Sequence, residues 1–572
     1  MQIILFFLLL LILPVFPQVF LLFPRTHSLV LCILNDSENS PIRISFTVMS
    51  RGPYQMTGHA LQPLNPTSNG LGTHTAGTMV NLPRGKSQYL SQVLAAVAIS
   101  LGPLAAGLGK GYSSPAIASL QGKQSWEAGH GAGAYRGHGM GHRGNYTLLT
   151  VSPQEASWVA SLSLLGALFG ALVGGLAMKF GRKNVLLIAS LPFSASWLVT
   201  VYAESVQTMF ATSFVGGFCC AVVLMVSQVY ISEISDPDIR GFLSAVLKIF
   251  SHIGTLLSLT LGAYLDWREL AMIISGAPLL LFVSMLYMPE TPSFLVLSGR
   301  EPDAVRALRF LRGNDTDITR ELITIRNNIL TASTHQYTYR GLAHAAARLA
   351  HPILITCGLM FFQRFSGANA FQFYSVTIFS QTFNGMNPHG GAIVVGFVQL
   401  LASLLSGLLI DTIGRLPLLI ASSVFMSIAL AGFGSFVYYE QLSRHNSYVH
   451  VQHLPPGVAP PGISATYDWI PLLCVLVFTV SFSMGISPIS WLLIGELFPL
   501  EYRGLGSALA TSFSYACAFI GVKTYVDFTQ TLGLHGAFWL YAAFSLAGLC
   551  FIVCFVPETK GRDLDELDSR YI

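Results

Sequence analysis

Two amides six residues apart, Gln363 and Asn369, stand in an otherwise apolar run with Ser366-Gly367 between them. An amide carries donors and an acceptor together, which suits the neighbouring hydroxyls of a polyhydroxylated solute. On an unbroken helix the two side chains would point about 120° apart, so both reach one cavity only if Ser366-Gly367 lets the helix unwind. Bonding one helix to another is the other use open to such amides. In a second uncharged run Pro488 removes a backbone donor and frees the carbonyl of Met484, with Gly485 adding slack, so a hinge is expected there. Trp491, three residues on, offers an indole that can lie against the C–H face of such a solute or sit at a lipid interface.

Two cations interrupt apolar runs. Lys248 shares a helical stripe with Ser244, Ser251, His252, Thr255 and Ser258, a face that must look into protein rather than lipid. It lies about 10 Å of helix from Gly241, close enough to snorkel to the surface. Arg364 is about 18 Å into its run, where an unpaired charge is costly. Either it stacks and hydrogen-bonds to carbonyls of a broken helix, or the solute brings the negative charge.

Other charges recur in pairs. Gly174 to Arg182 (GGLAMKFGR) matches Gly407 to Arg415 (GLLIDTIGR), which includes Asp411. Glu233 precedes Arg240-Gly241 by seven residues, and Glu496 precedes Arg503-Gly504 by the same interval. Pro289-Glu290-Thr291 and Pro557-Glu558-Thr559 then close the two halves, so the chain reads as a duplicated six-helix unit. An acid and a base at helix ends can bridge neighbouring helices in one state and part in another, a breakable latch; ordinary basic anchoring at a membrane face is the alternative.

The elements that position these residues follow from composition. The chain has 572 residues, 52% hydrophobic and only 10% charged, with mean hydropathy +0.58 and net charge +4. That is too little charge to cover several soluble domains, and it excludes a disordered chain, a nucleic-acid binder and a disulfide scaffold. No paired acids, metal-ligand spacing or nucleotide loop lies at a membrane boundary, so neither enzyme chemistry nor a cofactor is expected. Twelve runs of about 20 apolar residues are legible from Ser87 onward, approximately 87–109, 156–178, 184–203, 208–232, 242–265, 270–289, 352–379, 390–410, 416–439, 469–495, 504–522 and 534–556. The predicted fold class is therefore an all-α membrane protein with two six-helix bundles, embedded in the lipid bilayer.

Basic residues gather in alternate connections, which places those connections, and both terminal segments, in the cytosol of a multi-pass cell-membrane protein. Residues 1–86 read as an apolar stretch and a polar segment, 87–292 as the first bundle, 293–351 as a cytosolic helical linker, 352–556 as the second bundle and 557–572 as a tail. Prolines at 14, 17 and 24 break the first apolar stretch, which is expected as an extra anchor or an upstream start rather than a cleaved signal. In the linker, Val305, Leu308 and Leu311 form one stripe, with Arg306, Arg309 and Arg312 beside it. Asn145-Tyr146-Thr147, in the Gly/His-rich loop on the opposite side, is a glycosylation acceptor; Asn35 and Asn314 fall on the cytosolic side and are expected to stay unmodified. Seven of the eight cysteines lie in apolar runs as small packing residues.

Taken together, Gln92-Val-Leu, Glu155-Ala-Ser-Trp158, Pro289-Glu-Thr-Pro292, the string Gln363…Ser366-Gly367…Asn369…Tyr374, Pro488…Trp491…Glu496…Arg503 and Pro557-Glu-Thr-Lys-Gly561 resemble the sugar porter family of the major facilitator superfamily, nearest its facilitated trehalose transporters. The resemblance covers roughly residues 87–565. It implies two bundles rocking about a midplane sugar site, facilitated transport of trehalose or a hexose, and Gln363 and Asn369 as the principal sugar ligands. It adds Tyr374, Gln399 and Ser514 to the site, Gln399 and Ser514 standing where the family usually has Asn. Several family positions have changed: Met178 replaces an acid, Ser213 and Ser293 replace Arg, and Lys248 and Arg364 stand where sugar-contacting Gln is usual. Gly109 occupies the position at which proton-driven relatives carry an acid. The reading is therefore a uniporter, with an anionic sugar derivative or a sugar sensor without flux as alternatives.

Overall fold

Helices that are apolar on every face need a solvent other than water around them, and this chain is built from such helices. In the computed structural model the described residues run from 90 to 559; residues 1–89, 128–148, 452–466 and 560–572 lie outside them, with short joins at 150, 237–238, 314–317, 335–338, 384, 468 and 499–502. Asn35, Asn145 and Asn314 therefore fall outside the described residues. All the described residues belong to one unit, Gly85–Ile572.

The first half comprises α1 (Leu90–Glu127), α2 (Pro153–Ala177), α3 (Arg182–Val201), α4 (Val206–Ile234), α5 (Arg240–Leu261) and α6 (Trp267–Tyr287). Three short helices follow: α7 (Pro292–Leu297), α8 (Glu301–Arg312) and α9 (Thr319–Thr334). The second half contains α10 (Tyr339–Phe365), α11 (Ala368–Thr382), α12 (Pro388–Ile413), α13 (Arg415–Val451), α14 (Trp469–Met484), α15 (Ile486–Leu497) and α16 (Arg503–Phe555).

Among the described residues ten stretches are long and apolar enough to cross a membrane, against twelve expected. The difference has two local causes. The eleventh and twelfth runs are carried on α16, whose backbone turns at Gly533, and the seventh is divided between α10 and α11, neither half long enough alone. The first span is also longer than predicted. It continues through Lys110 and Pro115 to Gln121, so Gly109 and Lys110 sit inside the helix rather than at its end.

Small residues let helices meet backbone to backbone. A Cβ added at Gly107 of α1 would fall 1.9 Å from the carbonyl oxygen of Ser251 on α5, so α1 and α5 can pack this closely only with glycine there. One buried cluster joins the first-half helices through Ile99, Phe193, Val223, Tyr230 and Leu281, and takes in Leu311 of α8. A second is centred on Phe379, Phe433, Ile489 and Phe538, and extends to Ile117, Ala156 and Met209 of the first half. The two halves thus share a core at the far ends of α1 and α2, away from the end that carries Arg182 and Arg415, called the basic end below.

The linker buries Ala304, Ala307, Leu308, Leu311 and Arg312, a stripe displaced from the expected one. Arg312 is buried because it is fully engaged. Its Nη2 pairs with Glu321 Oε1 at 2.6 Å, and its Nη1 donates to the carbonyl of Ile234 at 2.8 Å, fixing α8 to the last residue of α4.

Candidate functional site

The seventh span is broken where the sequence placed the break. Gly367 adopts φ +85 between α10 and α11, and Ser366 Oγ donates to the carbonyl of Gln363 at 2.8 Å, closing the end of α10. Gln363 and Asn369 are buried on either side. Gln363 Nε2 donates to the carbonyls of Ile486 and Ser487 at 3.3 and 3.2 Å, while its Oε1 has no partner. Asn369 Nδ2 donates to the carbonyl of Arg364 at 3.2 Å, so both amides serve the broken backbone in this conformation. Tyr374, with non-helical φ −128, is buried and stacked on Tyr525 at 4.6 Å, and its hydroxyl is unpartnered.

The tenth span is also broken, but not around Pro488. The interruption is Gly485, between α14 and α15, and Pro488 falls in the first turn of α15, where a missing N–H costs no helical bond. The freed carbonyl of Met484 accepts from Ser406 Oγ at 3.4 Å, and Ser422 Oγ accepts from the amide of Ile486 at 3.2 Å. Trp491 lies on the next turn of α15. The Arg364 guanidinium stands 5.9 Å from its ring centroid, and Arg364 Nε donates to Ser514 Oγ at 2.9 Å. Three residues singled out in the sequence, on three separate helices, therefore meet. Gln399 is half-buried on α12, one turn before Ser403, whose hydroxyl bonds His252 Nε2 across the halves at 3.1 Å. Lys248, one turn before His252 on α5, is exposed.

At the basic end each half builds the same joint. Arg182 Nη2 meets Glu233 Oε1 at 2.7 Å, while Glu290 accepts from the backbone amides of Arg182 and Lys183, each at 3.0 Å. Arg415 Nη2 meets Glu496 Oε1 at 3.0 Å, while Glu558 accepts from the amides of Arg415 and Leu416 at 3.1 and 2.9 Å. Each carboxylate of the closing Pro-Glu-Thr motifs thus caps the start of α3 or α13. Glu233 does not pair along the chain with Arg240 as their spacing suggested. Arg240 is exposed and reaches the carbonyl of Ser235, because seven residues carry it past the end of α4 and around into α5. The side chains of Asp411 and Arg503 lie outside the described residues.

The sequence profile described as "Sugar (and other) transporter" matches residues 96–571. The chain belongs to that family. The facilitated trehalose transporter Tret1 of Apis mellifera ligustica is 33% identical over 492 residues, covering 85% of this chain and 89% of the relative. That of Polypedilum vanderplanki is 35% identical over 481 residues, covering 84% and 88%. Among solved structures, the inward open conformation of the xylose transporter XylE from E. coli superposes with a TM-score of 0.64 at 20% identity, covering 84% of this chain and 100% of that one. The proton:xylose symporter XylE bound to 6-bromo-6-deoxy-D-glucose gives 0.61 at 22% identity, covering 85% and 100%. These likenesses establish the major facilitator fold.

Within this sugar-transporter fold two features escaped the sequence reading. The first is a polar seam between the halves at the end opposite the basic one. Lys523 of α16 donates to Gln154 Oε1 at 2.9 Å and Ser157 Oγ at 2.8 Å, and Gln154 Nε2 donates to Asp527 Oδ1 at 2.7 Å. Ser114 of α1 bonds Ser375 at 2.8 Å and accepts from the amide of Val376 at 3.0 Å. Lys523 sits just past the predicted end of an apolar run, where a lysine reads as a boundary marker. The second is a cavity of about 100 Å³, lined among others by Gly109, Lys110, Tyr112, Trp197, Ser213 and Tyr515. Its one detectable signal was Lys110, a charge followed by more apolar helix.

Proposed function

We propose that this chain moves an uncharged sugar down its gradient by alternating access, with trehalose or a hexose as first candidates. The observation that carries the reading is the meeting of two helix breaks at Gln363. Its amide bridges α10 to the opened start of α15 and keeps an unpartnered Oε1, so a solute hydroxyl can enter by donating to that oxygen and accepting from Nε2. Asn369, Tyr374, Gln399, Trp491 and Ser514 lie on the helices nearby and supply the remaining contacts, Trp491 through the sugar's C–H face. The relatives are facilitated trehalose transporters, which supports the substrate class.

In this reading the basic end faces the cytosol together with both terminal segments, and Asn145 on the other side carries glycan. The paired joints Arg182–Glu233 and Arg415–Glu496, with Arg240, Asp411, Arg503 and the break at Gly485, govern gating. Radiolabelled uptake of trehalose, glucose and a sugar acid into proteoliposomes, with and without a pH gradient, tests it. Saturable trehalose or glucose flux that equilibrates without accumulating is expected. No flux of either neutral sugar would overturn the reading.

A further inference from the structure

Lys110 lies about 7 Å past the midpoint of the span Leu90–Gln121, deep within it. It makes no hydrogen bond and no ion pair among the described residues, and the hollow it lines is also lined by Tyr515 of the other half, the residue next to Arg364's hydrogen-bond partner Ser514. Arg364 spends one of its five N–H donors on Ser514 and lies over Trp491. One cation thus lines the hollow and a second bonds to the residue beside its wall, one from each bundle, in a region where every uncompensated charge is expensive.

Among the described residues that line the hollow, none supplies the opposite sign. No residue lining the cavity beside Lys110 is Asp or Glu. The same wall holds further donors: the Tyr112 hydroxyl and the Trp197 N–H are buried without partners, and their rings pack edge to face at 4.8 Å. Gly109 and Ser213 leave the hollow open between α1 and α4, since neither fills it with a long side chain. A hollow rich in donors, with a cation on it and another across the seam, and with no acid, is complementary to negative charge.

The geometry points to an anion-binding site between Lys110 and Arg364, filled either by a monovalent inorganic anion or by the carboxylate or phosphate of a sugar derivative. The inference rests on the transport reading for its location, but anion binding itself requires no flux. Because one cation belongs to each bundle, a bound anion would draw the bundles together, and its loss would leave them repelling.

The test uses the full-length protein purified in detergent. Sodium iodide is titrated against sodium isethionate at constant ionic strength, and tryptophan fluorescence is read, since Trp197 lines the hollow and Trp491 lies beside Arg364. A saturable quench is expected for the parent, at least tenfold weaker in Lys110→Met and Arg364→Gln, and within about threefold of the parent in Lys110→Arg, which keeps the charge. Lys110→Gln replaces Lys110→Met if the latter does not fold. Proteoliposomes then distinguish the two sources. If a halide fills the site, glucose or trehalose uptake falls at least fivefold when chloride is replaced by isethionate. If the substrate supplies the charge, glucuronate or glucose 6-phosphate displaces iodide and is carried, and neutral-sugar uptake ignores the replacement. A purely linear quench in the parent, with no displacement by either sugar anion, would overturn the inference. Saturable binding without any sugar flux would instead sink the transport reading and leave the anion site standing.

Discussion

Arg415 pairs with Glu496, which lies on α15 two helices further along the chain, and Thr559 Oγ1 donates at 2.6 Å to the other oxygen of the same carboxylate. One acid thereby gathers α13, α15 and the segment after α16, and Glu233 gathers α3 and α4 in the first half. These joints lie within each half, so they set how each bundle closes at its basic end.

Glu496→Gln and Arg415→Ala are expected to lower sugar uptake about tenfold while surface expression persists. A charge-assisted hydrogen bond at a half-buried site contributes about 1.5–3 kcal/mol, enough to shift a two-state population by that factor. Uptake normalised to surface-labelled protein checks it, and parental rates in both variants would remove the joint from the gating machinery.

Lys523→Met should loosen the opposite end. It removes both Lys523 hydrogen bonds across the seam, so a cysteine placed at the buried Ser375 should react about fivefold faster with a membrane-impermeant maleimide. Unchanged labelling would show that the Ser114–Ser375 contact and the apolar core close this end by themselves.

Gly367→Ala should destabilise the protein and abolish most transport. The φ of +85 costs a Cβ-bearing residue about 1–2 kcal/mol, and the added carbon would lie 3.1 Å from the Tyr541 ring. Thermal unfolding in detergent should shift down by several degrees. A variant with parental stability and flux would mean that the break relaxes at no cost.

Uptake should not accumulate sugar against its gradient and should ignore a protonophore. The described span of α1, Leu90 to Gln121, holds no Asp or Glu, so it offers no carboxylate to load with a proton. Concentrative uptake that collapses on adding a protonophore would contradict this.

The helices and their duplication were legible because apolar runs and repeated motifs are local signals. The break at Ser366-Gly367 was legible for the same reason, since only glycine takes that backbone angle easily. Partner choice was not. Glu233 and Arg240 are close in sequence but lie on either side of a chain reversal, and nothing local shows that Arg182 reaches across to Glu233. The extent of the first span was misread at Lys110, because a lysine inside a run marks a boundary in most membrane helices, and only packing against α3 and α4 shows this one to be enclosed. The hinge was assigned to Pro488 rather than Gly485 because proline is costly inside a helix but harmless in a first turn, and the turn's start depends on Ser422, which the chain brings in from α13.

At the proposed sugar site, the bonds from Gln363 to the carbonyls of Ile486 and Ser487 compete with those a sugar would make. An incoming hydroxyl exchanges one hydrogen bond for another and gains only their difference, while the carbonyls it displaces must find water or each other. Such a site resists holding its cargo tightly and pulls its own helices back together once the cargo leaves. For a carrier with no energy source, weak retention of this kind sets how quickly it can let go on the far side.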